Sequence, residues 1–287
     1  MSPENFDPRH FKDNQRRDWD AAAAGWKKWW PLFERSAQHV SDRLVELAGV
    51  GPGARVLDIA TGNGEPAVTA ARRVGASGRV IAIDQAPGML AIARERAASM
   101  GLSNIEFHQS DAESLAIGER DFDAITCRWG LMFMPDLTGT LERLCQRLKP
   151  RGRLATAVWS TPDKVPMITI ATETVRKLAG LPASAPGGMD PLRLADTSIL
   201  ETALKTAGFK DVSVERMMVN SEFDSADDFT NFRRDVSAPF RAMLASKPPE
   251  LQRRILDAII SAAKEYADAD GRIRTSNETI LFSAQRD

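Results

Sequence analysis

Three aspartates stand where three successive strand-like segments end, and their spacing could build one binding site. Asp58 lies near the end of residues 54–60, Asp84 ends residues 79–84, and Asp111 follows residues 104–109. The carboxyl ends of parallel strands meet at one edge of a sheet, where ligands of such sheets bind. Carboxylates there can accept hydrogen bonds from an ammonium group, from ribose hydroxyls or from an exocyclic amine. The pattern predicts a site for a nucleoside-bearing ligand.

The loop after the first strand indicates which kind of nucleoside-bearing ligand the site would bind. RVLDIATGNGEPA, residues 55–67, contains Gly62-x-Gly64-x-x-Ala67, a loose match to the dinucleotide fingerprint. Asp58 and Glu65 would repel a pyrophosphate at this turn, since like charges about 4 Å apart cost about 1 kcal/mol even in water. They favour a ligand with an ammonium or sulfonium group over the loop. Alternatively, they only stabilise the following helix N-terminus, and an NAD-dependent oxidoreductase would also use Asp84 for its ribose.

The segment HQSDAESL around Asp111 has two compatible interpretations. Ser110 and Glu113 have the spacing of a capping box, which predicts a short helix over 113–116. The Asp111 carboxylate and the backbone N–H of Ala112 would also suit the edge of an adenine. A capping box would order the loop that carries that site.

These motifs together resemble class I S-adenosylmethionine-dependent methyltransferases over roughly residues 15–160 and the final strand. VLDIATGNG is similar to the family's first motif, VIAIDQAPGMLAIAR to its ribose motif and IEFHQSDAESL to its adenine motif. FDAITCRWGLMFMPD and LKPRGRL resemble the later segments, and the ubiquinone/menaquinone C-methyltransferase branch is the most similar. One departure is Ala60, which stands where many members have glycine.

The resemblance implies S-adenosylmethionine as cofactor and assigns its contacts. Asp58 would hold the methionyl ammonium, directly or through water, and Arg128 would line the methionine end. Asp84 and Gln85 would hold the ribose, and Met89 would lie against the adenine. The remaining implied contacts are backbone approach at Ala60, Gly62 and Gly64 and adenine-edge recognition by Asp111 and Ala112.

Two apolar segments are candidates for the pocket of a methyl acceptor. RWGLMFMP, residues 128–135, is unusually apolar for a loop, and the N-terminal segment WDAAAAGWKKWWPLF places tryptophans at helical spacing. We expect the second segment to form a lid, although core packing or a membrane-surface helix would give a similar pattern. The predicted pocket residues are Trp19, Trp26, Trp30, Trp129, Met132 and Phe133.

The pattern of elements predicts a Rossmann-like, doubly wound α/β fold with a mostly parallel seven-stranded sheet. The later strands are expected at 121–127, 153–159, 211–220 and 278–286. Helices at 36–49, 164–179, 196–207, 225–245 and 249–267 are expected to flank the sheet or to form cap insertions. The predicted division is a helical lid at 1–50, a cofactor-binding core at 51–160, and cap insertions with the last two strands at 161–287.

Composition narrows the partners. The formal net charge of −1 disfavours nucleic acid, and no segment is apolar enough to span a membrane. Cys127 and Cys145 lack metal-ligand spacing, so no metal is expected. Without a secretory signal, a cytoplasmic enzyme is predicted.

None of the three histidines stands out as a base, so the catalytic residues and the acceptor atom (C, N or O) stay open. The predicted activity is methyl transfer to a small, largely apolar or aromatic molecule. A catalytically silent S-adenosylmethionine-binding module is an alternative.

Overall fold

The computed structural model describes residues 7–180 and 190–287, and its centre is a seven-stranded sheet. The strand order is β3-β2-β1-β4-β5-β7-β6, with β7 antiparallel to both β5 and β6 and the other pairs parallel. The strands are β1 (Arg55–Ile59), β2 (Arg79–Asp84), β3 (Ile105–Gln109), β4 (Phe122–Arg128), β5 (Leu148–Trp159), β6 (Phe209–Phe223) and β7 (Ile273–Arg286). The predicted fold class is confirmed.

The central strands are apolar on both faces because helices cover both sides of the sheet. β1, β2 and β4 are buried along nearly their whole length, whereas β3 at the edge alternates between partly buried and exposed residues. The last three strands are longer than their apolar cores suggested. Hydrogen-bonded pairing of β6 with β7 extends over their polar ends, from Phe209 opposite Arg286 to Phe223 opposite Ile273.

Nine α-helices occur in the described residues. They are α1 (Pro8–Leu47), α2 (Ala67–Val74), α3 (Pro87–Ser99), α4 (Leu137–Arg147), α5 (Pro166–Ala179), α6 (Thr197–Thr206), α7 (Ala226–Val236), α8 (Ala238–Ala245) and α9 (Pro249–Ala263). Side chains of Asp7, Asp136, Asp196, Ser225 and Ser237 cap α1, α4, α6, α7 and α8 by accepting from backbone N–H groups of the first turn.

The N-terminal region corrects the expected helix boundaries. A separate helix over 36–49 was expected after a disturbance at Pro31, but α1 runs unbroken for 40 residues with Pro31 inside it. Proline removes one intrahelical hydrogen bond, and packing on both sides compensates for that loss. Trp26, Trp29 and Phe33 all contact other aromatic rings around this position.

Three other predicted helices differ from the structure. No helix forms over residues 113–116: residues 112–114 make a turn, the Asp111 carboxylate accepts from the backbone N–H of Glu113, and Leu115 adopts a left-handed φ of 43°. The predicted helix over 225–245 is divided at Ser237, whose extended backbone ends α7 and whose hydroxyl caps α8. The helix expected to reach residue 267 ends at Ala263.

The helical insertions divide into two groups. α5 and α7 pack against α9, and α7 also packs against α1 and α8, so these helices form the cap. α6 packs against α4 and β6 on the flank of the sheet instead. Most of the Pro/Gly-rich stretch at 181–191, residues 181–189, lies outside the described residues. Cys127 and Cys145 are free and buried.

Candidate active site

A cavity opens at the carboxyl ends of β1, β2 and β4, beside the point where the strand order reverses, and α1 crosses it. Together with its open mouth it holds about 990 Å³ of space. The predicted residues that line it are Ala60, Gly62, Asp84, Gln85, Met89, Asp111, Ala112 and Arg128, together with the aromatic residues Trp19, Trp26, Trp129 and Phe133. Lys12, Gln15, Phe33, Asn63 and Glu65 are also in the lining.

Asp84 is fixed by the loops on either side of it. Its Oδ2 accepts from the backbone N–H of Gly62 at 2.9 Å, and its Oδ1 accepts from that of Ala86 at 2.9 Å. Burial raises the pKa of the carboxyl, and these backbone bonds oppose the shift. Each carboxylate oxygen keeps a further lone pair. Asp84 can therefore receive two hydroxyl donors from the cavity without giving up its structural bonds.

The backbone around the cavity takes the left-handed conformation at three positions. Gly62 has φ 54°, Ala60 has φ 51° and Trp129 has φ 57°. The last two are unusual for residues with a Cβ, and such strain concentrates at ligand sites. At position 62 the positive φ favours glycine, whereas a Cβ there would make only van der Waals contact, 3.4 Å from the flexible Met89 methyl group. The turn thus brings backbone against the ligand space.

Two predicted contacts do not reach the cavity. Asp58 is fully buried beneath the loop, where Oδ1 accepts from Thr126 Oγ1 at 2.6 Å and Oδ2 from the Ala67 backbone at 3.2 Å. Burial raises the pKa of Asp58 to about 7. Gly64 faces α3, since a Cβ there would be 3.3 Å from Ala93. Asp58 holds the start of α2, and Gly64 allows the loop to approach α3.

Glu65 takes the position at the cavity that sequence reasoning gave to Asp58. Its side chain is buried and lines the cavity; Oε2 accepts from Thr69 Oγ1 at 2.6 Å, whereas Oε1 has no hydrogen-bond donor in the described chain. The charge of Glu65 had been noted in the sequence, but its role as the lining acid had not.

Arg96 of α3 joins Glu65 to the rest of the site. Its guanidinium donates to the Asn63 carbonyl, lies 3.0 Å from Glu34 and 3.5 Å from Glu65, and stacks 3.5 Å from the centre of the Trp30 ring. Trp30 therefore packs under Arg96 and does not line the cavity, contrary to expectation. Arg96 links α1, α3 and the glycine loop in one contact.

Arg128 is a buried cation at the same end of the cavity. Only 8% of the residue is exposed, and its Nη1 donates to Ser41 Oγ at 2.7 Å. In the described ranges no carboxylate lies within ion-pair distance of it. Burial lowers its pKa, and the charges of Glu65 and Asp58 oppose that shift. A buried acid and a buried base thus line one end of the cavity.

The opposite end is closed by α1. Lys12 Nζ lies 2.7 Å from Asp111 Oδ2 and also pairs with Glu113. The sequence gave no sign of this contact, because Lys12 lies 99 residues from Asp111 in a polar stretch. Asp111 keeps its second oxygen bonded to the backbone of its own turn.

Aromatic rings form the wall between the two ends. Trp19 packs edge-on against Phe133 at 5.5 Å, and Phe33 packs against both Trp26 at 5.1 Å and Trp129 at 5.5 Å. Met132 was expected in this wall, but it is fully buried in the core below the 3₁₀ turn Leu131–Phe133. In such a tight turn, successive side chains point to different sides.

Several residues that line the cavity have buried polar atoms without a hydrogen-bond partner in the described chain. Of the buried side-chain atoms without a hydrogen-bond partner, four belong to cavity-lining residues: Gln15 Oε1, Trp26 Nε1, Thr61 Oγ1 and Glu65 Oε1. Buried polar groups without partners are costly. A polar ligand with donors and acceptors would satisfy them, and a nucleoside linked to an amino acid has both. The residues present therefore fit S-adenosylmethionine.

Other kinds of site have less support. Across residues 7–180 and 190–287, no cluster of side chains has the composition of a metal site. None of the residues found to line the cavity is a histidine; His39 bonds to the Met218 carbonyl, and His108 lies in β3. No helix in the described part of the chain is both long and apolar enough to cross a membrane.

A sheet of this order with a ligand cavity at its reversal point and acids after β2 and β3 defines a Rossmann-like nucleoside-binding protein. Solved structures agree on the fold. The YcgJ protein of Bacillus subtilis aligns with a TM-score of 0.56 at 20% identity, over 86% of this chain and 98% of that one. Phosphoethanolamine N-methyltransferase 2 of Haemonchus contortus, solved with S-adenosylhomocysteine, aligns with a TM-score of 0.57 at 18% identity. The alignment covers 99% of this chain and 61% of that one.

Sequence comparison assigns the family. A family model described as a methyltransferase domain matches residues 51–208, more than half of the chain, and the chain belongs to that family. The ubiquinone/menaquinone biosynthesis C-methyltransferase of Pseudomonas putida is 35% identical over 144 residues, 50% of this chain and 52% of the relative. The chain spans about half the length of the curated relatives it matches. The resemblance to S-adenosylmethionine-dependent methyltransferases and the predicted cofactor are thereby confirmed.

Proposed function

We propose that the protein transfers the methyl group of S-adenosylmethionine to a small, largely apolar or aromatic acceptor. One observation carries the proposal. A single cavity joins Asp84 and Asp111 with Glu65 and Arg128 beneath an aromatic wall. These groups match, in order, two hydroxyls, an aromatic amine and the two charges of an amino acid.

The ends of the cavity differ in what they can bind. Asp111 and the backbone of Ala112 would meet the adenine edge, with Met89 against its face, and Asp84 would accept from the ribose. At the other end, Oε1 of Glu65 lies 3.5 Å from Arg96 without a hydrogen bond and can accept from an ammonium group, and the Arg128 guanidinium can donate to a carboxylate. Asp58 supports this end from beneath the loop instead of contacting the ligand.

The cofactor supplies a methyl group made electrophilic by a sulfonium. The chain contributes position and exclusion of water. Trp19 packs edge-on against Phe133 and at a tilt against Trp26, so these rings form a firm wall against which a flat acceptor can be aligned for in-line attack. A neutral amine or an activated aromatic carbon needs no general base. In the proposal, four charged lining residues contact the cofactor: Glu65, Asp84, Asp111 and Arg128. The other two, Lys12 and Glu113, pair with each other.

Titration calorimetry with S-adenosylhomocysteine tests the cofactor site. Asp84→Ala should weaken binding by roughly 1–3 kcal/mol, or about five- to 150-fold, because the ribose hydroxyls lose their acceptor. Asp163→Ala, an exposed position before α5, is the matched control and should bind like the wild type. Unchanged affinity in Asp84→Ala would place the nucleoside elsewhere.

A further inference from the structure

One polar residue of the cavity lining has no role in the proposed cofactor contacts. Gln15 lies on α1, and its Oε1 is buried without a hydrogen-bond partner in the described chain. A buried amide oxygen that lacks a donor is costly. Lys12, one turn earlier on the same helix, also lines the cavity, but it is paired with Asp111 and Glu113. Gln15 is therefore a polar group that the site encloses and that the fold leaves without a partner.

Two contacts of α1 locate Gln15 along the cavity. Lys12, three residues before it, lies 2.7 Å from Asp111 on the loop after β3. Asp20, five residues after it, accepts at 2.6 Å from the backbone N–H of Gly88 in the first turn of α3. Side chains three residues apart on a helix are neighbours on one face, so Gln15 lies beside Lys12. The helix is thus anchored on both sides of Gln15, to the loops after β3 and after β2.

The adenine end of the proposed cofactor site is built from the same two loops. Asp111 and the backbone N–H of Ala112 are assigned to one edge of the base, and Met89 to its face. All three line the cavity together with Gln15. α1 rises about 1.5 Å per residue, so Gln15 lies about 5 Å along the helix from the residue that contacts Asp111. This position brings its amide within reach of the base.

The base keeps unmatched groups when Asp111 and Ala112 contact it. The exocyclic amine has two hydrogens, of which Asp111 accepts one, and the neighbouring ring atom N7 is a further acceptor. A glutamine amide carries an acceptor and donors side by side. It pairs with this edge of adenine through two hydrogen bonds, one from the amine to Oε1 and one from Nε2 to N7. Oε1 of Gln15 would then gain the donor that it lacks in the described chain.

We propose that Gln15 binds the amine and N7 edge of adenine and makes the site selective for that base. This inference rests on the proposed function, because it takes S-adenosylmethionine as the ligand. Gln15 lies outside residues 51–208, the part that matches the methyltransferase-domain family. The contact therefore comes from α1, which both covers the adenine end through Lys12 and recognises the base through Gln15.

Calorimetry with S-adenosylhomocysteine and its 7-deaza analogue, in which C–H replaces N7, tests the contact. The wild type should bind the analogue about fivefold or more weakly, because Nε2 of Gln15 loses its acceptor. Gln15→Met should bind S-adenosylhomocysteine about fivefold or more weakly than the wild type does, and should bind the two ligands within about twofold of each other. Gln146→Met, the same change at an exposed position of α4, is the control and should keep the wild-type affinities.

Gln15→Glu separates contact with the base from a role in folding. Its carboxylate still accepts from the amine but places an oxygen lone pair opposite N7. This variant should therefore bind the 7-deaza analogue as well as S-adenosylhomocysteine or better. A residue that only supported α1 would, when substituted, weaken both ligands by the same factor and leave the wild-type preference unchanged.

The proposal is overturned if the wild type binds the two ligands equally, or if Gln15→Met and Gln15→Glu keep the wild-type preference for S-adenosylhomocysteine. In either case binding of S-adenosylhomocysteine by the wild type would leave the proposed function standing. Failure of the wild type to bind S-adenosylhomocysteine would overturn the proposed function and this inference together.

Discussion

The ammonium group of Lys12 lies 2.7 Å from a carboxylate oxygen of Asp111, which joins the first turns of α1 to the loop after β3. Lys12 also pairs with Glu113, so one side chain fastens α1 across the adenine end of the proposed site. At the next level along α1, Asp20 accepts from the backbone of Gly88 at 2.6 Å. A cofactor that enters from this side must pass beneath these contacts.

Lys12→Met should therefore speed release of the cofactor. Loss of a partly buried ion pair is worth about 1 kcal/mol, so the dissociation rate of S-adenosylhomocysteine should rise about fivefold in stopped-flow displacement. Lys27 is also on α1, and it forms an exposed ion pair with Glu95 of α3. Lys27→Met removes that pair and should leave the dissociation rate unchanged. Equal rates for wild type and Lys12→Met would show that α1 does not close this end.

Glu65 and Arg128 at the methionyl end predict that their substitution lowers affinity only for ligands that carry the amino-acid end. Glu65→Gln or Arg128→Met should each weaken the binding of S-adenosylhomocysteine by about ten- to 100-fold, which is the value of one charge-assisted hydrogen bond. Affinity for 5′-methylthioadenosine, which lacks the amino-acid end, should stay within about twofold of the wild type. If the affinity for both ligands falls in parallel, Glu65 and Arg128 support the fold and do not contact the amino-acid end.

Arg96 is a positioning residue for the same end, because it holds the Asn63 carbonyl and approaches Glu65. Arg96→Met should weaken S-adenosylhomocysteine about tenfold while 5′-methylthioadenosine binds normally. Arg94→Met, two residues earlier on α3 and bonded to the Phe107 carbonyl, is the control. A merely structural role for Arg96 would lower the affinity of both ligands together.

Asp58 predicts a pH dependence of stability. An unfolded aspartate titrates near pH 4, whereas burial raises the pKa of Asp58 to about 7 in the folded protein. Between these values the folded state keeps a proton that the unfolded state has released. Raising the pH through this range therefore lowers the free energy of unfolding, by an amount on the order of a few kcal/mol, and the loss is complete above about pH 7.

Asp58→Asn should remove that dependence. Asparagine can still accept from the Ala67 backbone and donate to Thr126, and it does not titrate. In urea denaturation from pH 4 to pH 8, the variant should gain stability relative to the wild type as the pH rises. A constant difference across this range would mean that Asp58 is ionised at every pH tested.

The sequence predicted the sheet and most of the cavity because both depend on local features. Short apolar runs predicted the strands, and acids at their carboxyl ends predicted Asp84 and Asp111 at the cavity. Asp58 followed the same rule and nevertheless lies behind the loop. A strand pattern gives the end at which a side chain lies, but the neighbouring strand decides its partner, which here is Thr126.

Features that depend on distant contacts were missed. The spacing of Trp19, Trp26 and Trp30 predicts one helix face, but α1 is about 60 Å long at 1.5 Å per residue and passes different neighbours. Trp26 meets the cavity, and Trp30, one turn later, meets Arg96 of α3. Lys12 gave no signal for the same reason, since the partner of a charged side chain depends on what the fold places beside it.

The most direct test of the central claim is calorimetric titration of the wild-type protein with S-adenosylhomocysteine and, separately, with NADH. Glu65, the acid of the glycine loop that lines the cavity, opposes a pyrophosphate and favours a charged amino-acid end. The account predicts micromolar binding of S-adenosylhomocysteine and no heat of binding with NADH. Binding of NADH without binding of S-adenosylhomocysteine would contradict both the charge argument and the proposed methyl transfer.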